Sequence, residues 1–227
     1  ALFHFSPPVV SAAIAVAEAE KTSGKEFLTA VVLGCEMMSR ASHAANFSLR
    51  DRGFHTTPTC GVFGAAVAAG FLMKLNPEQM TSALGMAGAQ AAGLMEMYGP
   101  SMQKRFNPGP TARNGITAAR MAKLGFTGAS TIFEGERGFL KSFTLEYDVL
   151  ALTNKLGYDF PNEFEYKAYS CARPIHNAID CALNIRQQMN VATNKVIAIT
   201  MRRHPKWAHY HQNSKPKTYH EAQVSLS

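Results

Sequence analysis

The sequence predicts a mainly α-helical protein, in which a large all-helical domain is followed by a smaller α+β domain. Up to about residue 160, apolar residues recur at helical spacing between signals that start and end helices. Beyond it, the chain mixes β-branched runs with one helical pattern. The charge changes at the same place, because residues 1–165 hold 14 basic and 14 acidic residues whereas residues 166–227 hold 9 and 2. We therefore expect domains at residues 1–164 and 165–227.

Five helices are expected in the first domain. Ser6 followed by Pro7 is an N-cap with proline in the first turn, and Gly24 is expected to end that helix. Residues 76–79 combine an N-cap asparagine, a first-turn proline and a capping glutamine. Gly125 is expected to end the fifth helix. The expected ranges are 6–21, 25–46, 59–74, 77–92 and 111–124.

The third and fourth of these helices consist almost entirely of small and aliphatic residues. Glycine or alanine recurs there at every fourth position, which lets helix backbones approach closely. Glycine costs about 1 kcal/mol in a helix interior, so packing is expected to require it. These helices are the predicted core, and the small positions are Gly61, Ala65, Ala69, Gly85, Ala89 and Gly93.

A loop rich in glycine and proline, residues 98–110, interrupts the helical pattern. It is expected to present Lys104, Arg105 and Asn107 in a rigid, non-helical form. Binding residues often lie on such loops. The second domain is expected to contain a strand at 164–169, a helix at 174–189, a strand at 195–201 and a helix started by a capping box at 218–221.

Composition limits the setting of the protein. Four cysteines without a CxxC pair indicate a reducing compartment, and we expect the cytoplasm, or the mitochondrial matrix in a eukaryote. No apolar stretch is long enough to span a membrane. The basic residues are dispersed, so no nucleic-acid partner is expected. Only 17% of residues are charged, which favours a surface hidden in a homodimer or by further segments of chain.

Five sequence blocks, in order along the chain, carry a resemblance to a known family. Together they resemble the MmgE/PrpD family, which includes 2-methylcitrate dehydratase, cis-aconitate decarboxylase and iminodisuccinate epimerase. The resemblance implies a helical domain with an α+β lid, a homodimer, and further chain beyond both ends of this sequence, so that both domains are truncated here. The blocks are residues 4–8, 52–66, 104–109, 125–135 and the set Lys167, Cys171, His176 and Asp180.

The resemblance also implies a reaction. Family members transfer a proton at a carbon beside a carboxylate of a di- or tricarboxylic acid, without a metal or other cofactor. Such a site needs an acid or base and several cationic donors. By resemblance the catalytic positions are His4, His55, Lys104 and Lys167, and the substrate-binding positions are Arg105, Asn107 and His176. We expect the four catalytic residues to converge in one cleft between helical domain and lid.

Each of these residues also has a purely structural interpretation. His55 would cap the helix that follows it, and His4 would be a frayed terminal residue. Lysines on loops are usually solvated, and His176 with Asp180 would form a pair on a helix surface. His209 and His211 could share a strand face, but without carboxylate or cysteine partners at ligand spacing we expect no metal site.

Two departures from the family bear on the reaction. Many members have histidine where this chain has Asn107, which can form hydrogen bonds but cannot titrate. The decarboxylase has a catalytic histidine where this chain has Ala172, so dehydration is favoured over decarboxylation. The leading hypothesis is therefore a hydro-lyase of the 2-methylcitrate dehydratase type, as in propionate metabolism, acting on a small polycarboxylate. The alternatives are a family epimerase or decarboxylase, and a non-catalytic fragment or anion-binding pseudoenzyme.

Overall fold

The structure is a computed structural model that describes residues 3–46, 48–97, 101–160, 164–189, 192–205, 211–213 and 215–226. The chain divides into two compact units, Ala1–Glu163 and Phe164–Ser227. Helix is the dominant regular structure, which confirms the mainly α-helical prediction. None of the helices in the described ranges has the length and apolar character needed to cross a membrane.

The described residues of the first unit form eight α-helices and two 3₁₀ turns. The helices are α1 (Ser6–Glu20), α2 (Gly24–Ala45), α3 (Ser48–Asp51), α4 (Thr56–Leu72), α5 (Pro77–Gly88), α6 (Gln103–Phe106), α7 (Pro108–Lys123) and α8 (Phe139–Phe143). The 3₁₀ turns are Met95–Met97 and Val149–Leu152. The short helices α3, α6 and α8 were not expected from the sequence.

Two of the expected helix signals act as predicted. The Asn76 side chain accepts a hydrogen bond from the Gln79 backbone N–H at 2.8 Å, and the Gln79 side chain accepts one from the Asn76 N–H at 3.1 Å. Gly125 follows α7 with a left-handed φ of +94°. The Phe126 N–H then donates to the Met121 carbonyl at 3.0 Å, which closes the helix end.

The first two helices match their expected ranges to within one residue, but the roles predicted for Ser6 and Gly24 are wrong. Ser6 is already the first residue of α1, and Phe5 precedes the helix without a side-chain cap. Lys21 ends α1 in a left-handed conformation, and Gly24 begins α2 instead of ending α1. The reason is a capping box formed by Ser23 and Glu26, which fixes the start of α2 at that point.

Helix α4 is the centre of the first unit. It is apolar on all sides, nearly all of its residues are buried, and it packs against α1, α2, α5 and α7. A Cβ atom built on Gly64 would lie 2.5 Å from the Gly34 carbonyl oxygen, so α2 and α4 touch through their backbones. The small residues of α4 therefore serve packing within one subunit. Of the other small positions, Ala89 and Gly93 lie beyond the end of α5, which the sequence predicted to continue to residue 92.

Arg40, half of a buried ion pair within α2, joins that helix to the end of the first unit. Arg40 Nε donates to Glu36 Oε1 at 2.5 Å, and both side chains are almost fully buried. The Arg40 guanidinium also donates to the carbonyl oxygens of Asn154 at 2.8 Å and Asp159 at 2.9 Å. Arg40 thus satisfies backbone acceptors of a segment that has little regular structure of its own.

The described part of the second unit contains α9 (Arg173–Met189), a 3₁₀ turn (Thr193–Lys195) and α10 (Tyr219–Ala222). The Thr218 hydroxyl caps α10 by accepting from the Glu221 N–H at 3.2 Å. The predicted capping box is half formed, because the Glu221 carboxylate accepts from the Lys217 N–H at 2.6 Å. The strands expected at 164–169 and 195–201 are not formed within the described residues. A strand needs a paired neighbour, and here the Ile197 side chain is fully exposed. The α+β character of this unit stays a prediction.

Candidate active site

The site is built around the start of α4. His55 immediately precedes that helix and has an extended backbone, but its side chain forms no capping hydrogen bond. The His55 backbone is held instead, because its N–H donates to the Gly93 carbonyl at 3.0 Å and its carbonyl accepts from the Thr59 hydroxyl at 2.8 Å. The capping interpretation of the His55 ring is therefore wrong.

The His55 ring pairs with Asn107. Asn107 Nδ2 lies 3.2 Å from His55 Nδ1 and 3.6 Å from the sulfur of Met97. The Asn107 carbonyl accepts from the Thr111 hydroxyl at 2.9 Å, which fixes the start of α7. Sequence reasoning assigned Asn107 to the substrate, whereas the structure gives its amide nitrogen a protein partner.

The segment that carries Lys104, Arg105 and Asn107 is helical, contrary to prediction. Lys104 and Arg105 lie in the single turn of α6, and Asn107 joins α6 to α7 with helical dihedral angles. Proline at 108 was read as part of a loop, but its fixed φ suits the first position of a helix. Residues 98–100, the beginning of the expected loop, lie outside the described residues.

His4 is fastened to the first turn of α4. Its backbone N–H donates to the Thr57 hydroxyl oxygen at 3.1 Å, and its ring Nδ1 lies 3.4 Å from the same oxygen. The Thr57 side chain is buried, so this contact ties the segment before α1 to the core. The frayed-terminus interpretation of His4 is therefore wrong.

The electrostatics around His55 favour its neutral form. Only 7% of His55 is exposed. Burial, together with the positive charges of His4, Lys104 and Arg50, lowers the pKa of the imidazole from 6.5 to about 3. His4, Lys104 and Arg50 are thus close enough to act on His55 and to attract an anion.

Sequence reasoning missed Arg50 and Thr57 as members of this cluster. Arg50 lies in the short helix α3, which was not expected. The sequence pattern therefore did not predict that its charge lies near His55. Thr57 stood within one of the family-like blocks but was read as part of a helix start. Its hydroxyl-bearing side chain two residues after His55 was the available signal.

The remaining predicted site residues are Arg105 on α6 and two residues of the second unit, Lys167 and His176. Arg105 is exposed on α6, and Lys167 is exposed in the second unit before α9. His176 on α9 is buried, with its ring edge-on to Tyr169 at a centroid distance of 5.1 Å. Tyr169 donates to Asp180 Oδ1 at 2.5 Å, and His176 is buried, so the expected pair of His176 and Asp180 on a helix surface is not formed. The convergence of Lys167 with the other three residues stays a prediction.

The arrangement suits anion chemistry better than metal binding. Over the described ranges, no three His, Cys, Asp or Glu side chains are grouped so as to hold a metal ion. His209, one of the two histidines weighed as zinc ligands, lies outside those ranges. What the cluster offers is a neutral imidazole, an amide and several cationic donors around the first turn of a buried helix, whose N–H groups and dipole also favour negative charge.

Comparison with known proteins identifies relatives of this chain. The family described as MmgE/PrpD N-terminal domain matches residues 1–149. A cis-aconitate decarboxylase-like protein, oryM, of Aspergillus oryzae is 32% identical over 200 residues, covering 78% of this chain and 42% of the relative. The cis-aconitate decarboxylase of Aspergillus terreus is 32% identical over 192 residues, covering 79% and 39%. The human cis-aconitate decarboxylase is 26% identical over 187 residues, covering 81% and 38%. This chain thus spans about two fifths of the length of the curated relatives it matches.

Proposed function

The chain belongs to the MmgE/PrpD family, and we propose that it carries catalytic residues of a lyase that acts beside a carboxylate of a di- or tricarboxylic acid. The observation that carries this proposal is the cluster at the start of α4, in which a buried neutral His55 lies near His4, Lys104 and Arg50. A polycarboxylate needs cations to bind it, and its reaction needs a donor for the oxygen that gains charge. Both are present among these four residues.

The residues have distinct roles in this proposal. Lys104 and Arg50 hold carboxylates and stabilise the enolate-like charge that develops when a proton leaves the adjacent carbon. His55, buried and neutral, hydrogen-bonds a substrate oxygen, and His4 is the second titratable group available for proton transfer. Arg105, Lys167 and His176 remain candidate carboxylate contacts. No step in this scheme uses a metal.

Two reactions are candidates, each favoured by a specific observation. Dehydration of 2-methylcitrate is favoured by Ala172, which stands where the family's decarboxylase has a catalytic histidine. Decarboxylation of cis-aconitate is favoured by the names of the relatives, which are decarboxylases or decarboxylase-like. Both share the proton-transfer step, so the α4 cluster supports the reaction class and the substrate assay decides between its members.

The test is turnover by the purified protein of 2-methylcitrate and of cis-aconitate, followed by product analysis. We expect His55→Ala and Lys104→Ala each to lower kcat/KM by about 10²-fold or more, because each removes a group that meets the reacting oxygens. The control is Lys123→Ala. Lys123 is an exposed lysine at the far end of α7, where it pairs with Glu20 of α1. It should leave kcat/KM unchanged.

Three results would contradict the proposal. The first is turnover of neither compound nor of another di- or tricarboxylate, with tight binding alone, which would favour a non-catalytic anion-binding protein. The second is undiminished turnover in His55→Ala and Lys104→Ala. The third is a loss of turnover in Lys123→Ala as large as that in Lys104→Ala, because the loss would then come from the lower net charge of the protein and not from the site.

A further inference from the structure

The contact between Asn107 and His55 has a direction that the neighbouring sulfur fixes. An asparagine amide has a nitrogen that donates and an oxygen that only accepts. The end that faces His55 Nδ1 at 3.2 Å also faces the Met97 sulfur at 3.6 Å. A thioether sulfur has no proton to donate, so an oxygen at that position would face a second acceptor. The amide nitrogen therefore occupies it, and Met97 selects this orientation.

From this geometry we infer that Asn107 is a positioning residue that holds His55 in the tautomer protonated at Nε2. Because Nδ1 accepts the hydrogen bond from Asn107, it carries no proton of its own. A neutral imidazole has one N–H, which must then be at Nε2. Met97 is 2% exposed, so the amide that sets the tautomer is backed by a buried side chain.

The surroundings of His55 work against the doubly protonated ring. An imidazolium would place an Nδ1–H against the N–H of Asn107, and both groups would be donors. His55 is buried and lies near His4, Lys104 and Arg50, and these conditions lower the pKa of its imidazole. The neutral ring with its proton on Nε2 is the state consistent with both observations.

The consequence for catalysis rests on the proposed function. A neutral histidine protonated at Nε2, whose Nδ1 is already engaged by Asn107, donates a hydrogen bond to a bound oxygen and has no free lone pair with which to abstract a proton. His55 is then the donor to the substrate oxygen, and the proton is removed from carbon by another group. The tautomer itself follows from the protein contacts alone, so it can be tested without a substrate.

The test is nuclear magnetic resonance of the ¹⁵N-labelled protein, in which long-range correlations between ring protons and ring nitrogens distinguish the two neutral tautomers. The His55 signals are assigned by their disappearance in His55→Gln. Near neutral pH we expect His55 to show the pattern of a protonated Nε2 and an unprotonated Nδ1. Observation of the Nδ1–H tautomer, or of an imidazolium, would overturn the inference.

Two substitutions extend the test. Asn107→Ala removes the donor, and His55 should then lose its preference for the Nε2–H tautomer. Asn107→Asp places an accepting carboxylate at the same position, which should move the proton to Nδ1 and raise the pKa of His55 by about one unit or more. An unchanged His55 pattern in Asn107→Asp would overturn the inference even if Asn107→Ala fails to fold.

The matched control is Asn114→Asp, which adds the same charge on α7 about 10 Å further along the helix axis. Asn114 Oδ1 already accepts from Arg113, so a carboxylate there has a cationic neighbour. His55 should keep the wild-type pattern in this variant, and a change as large as in Asn107→Asp would assign the effect to charge. If the tautomer is as expected but no polycarboxylate is turned over, the proposed function fails and the positioning role stands.

Discussion

Replacing His55 should remove a large part of the acid sensitivity of folding. The pKa of His55 falls from 6.5 to about 3 on folding, chiefly through burial. Between these two values the unfolded chain binds a proton that the folded chain does not. The free energy of unfolding therefore rises with pH across this window, falls as the solution is acidified, and is unaffected by His55 above it.

The size of the effect follows from the two pKa values. One pH unit inside the window corresponds to about 1.4 kcal/mol for a single group. Near pH 6.5 the imidazole is only partly protonated in the unfolded chain. With this allowed for, acidification from about pH 6 to about pH 4 should lower the free energy of unfolding of the wild type by about 2.5 kcal/mol through His55 alone. His55→Gln cannot take up this proton in either state, so it should lack that loss whatever its stability at neutral pH.

The assay is urea unfolding, followed by the helical circular dichroism signal, at several pH values from 4 to 7. Carboxylates also titrate in this range, and the comparison of wild type with His55→Gln cancels their contribution. His43→Gln is the control, because His43 is exposed in the last turn of α2. It should follow the wild-type curve. Parallel pH curves for wild type and His55→Gln would refute the reasoning, since His55 would then titrate alike in both states.

The remaining predictions concern stability in the first unit, and denaturant unfolding checks both. Arg40→Met should lower the free energy of unfolding by about 3–5 kcal/mol, because it leaves the buried Glu36 carboxylate without its cation. Glu36→Gln should lower it clearly less, since Arg40 keeps its carbonyl acceptors. Equal losses in the two variants would contradict this prediction. Gly64→Ala should cost about 1–3 kcal/mol through overpacking between α2 and α4. Gly24→Ala is the control, because an added Cβ there meets nothing within 4 Å, and it should not lower the free energy of unfolding. Similar losses of stability in both glycine variants would count against the backbone contact between α2 and α4.

Helix ends could be predicted where the signal is local. The capping box of Asn76 and Gln79 and the left-handed Gly125 depend on residues within a few positions of each other, so the sequence alone contains the interaction. The prediction at Gly24 failed although the signal there is also local. Ser23 and Glu26 form a capping box whose contribution decides where α2 starts, and it was overlooked in favour of a glycine stop signal.

The site was less accessible to sequence reasoning. Resemblance supplied the positions of His4, His55 and Lys104, but it did not supply their partners. The contacts of Thr57 with His4 and of Asn107 with His55 join residues more than 50 positions apart. They depend on α4 being buried in the middle of the first unit, and no local pattern encodes such pairings.

The turn α6 explains how one short segment serves His55 in two ways. Lys104 and Asn107 are three residues apart, and because the backbone between them is helical, their side chains lie on the same side of it. The sequence analysis expected a rigid, non-helical loop here, in which that spacing does not by itself put the two side chains on one face. One face of one turn thus brings to His55 both a positive charge, which opposes the imidazolium, and an amide nitrogen, which occupies Nδ1. Both effects favour the same neutral ring with its proton on Nε2. They act together because this segment is helical, although its glycine and proline content predicted a loop.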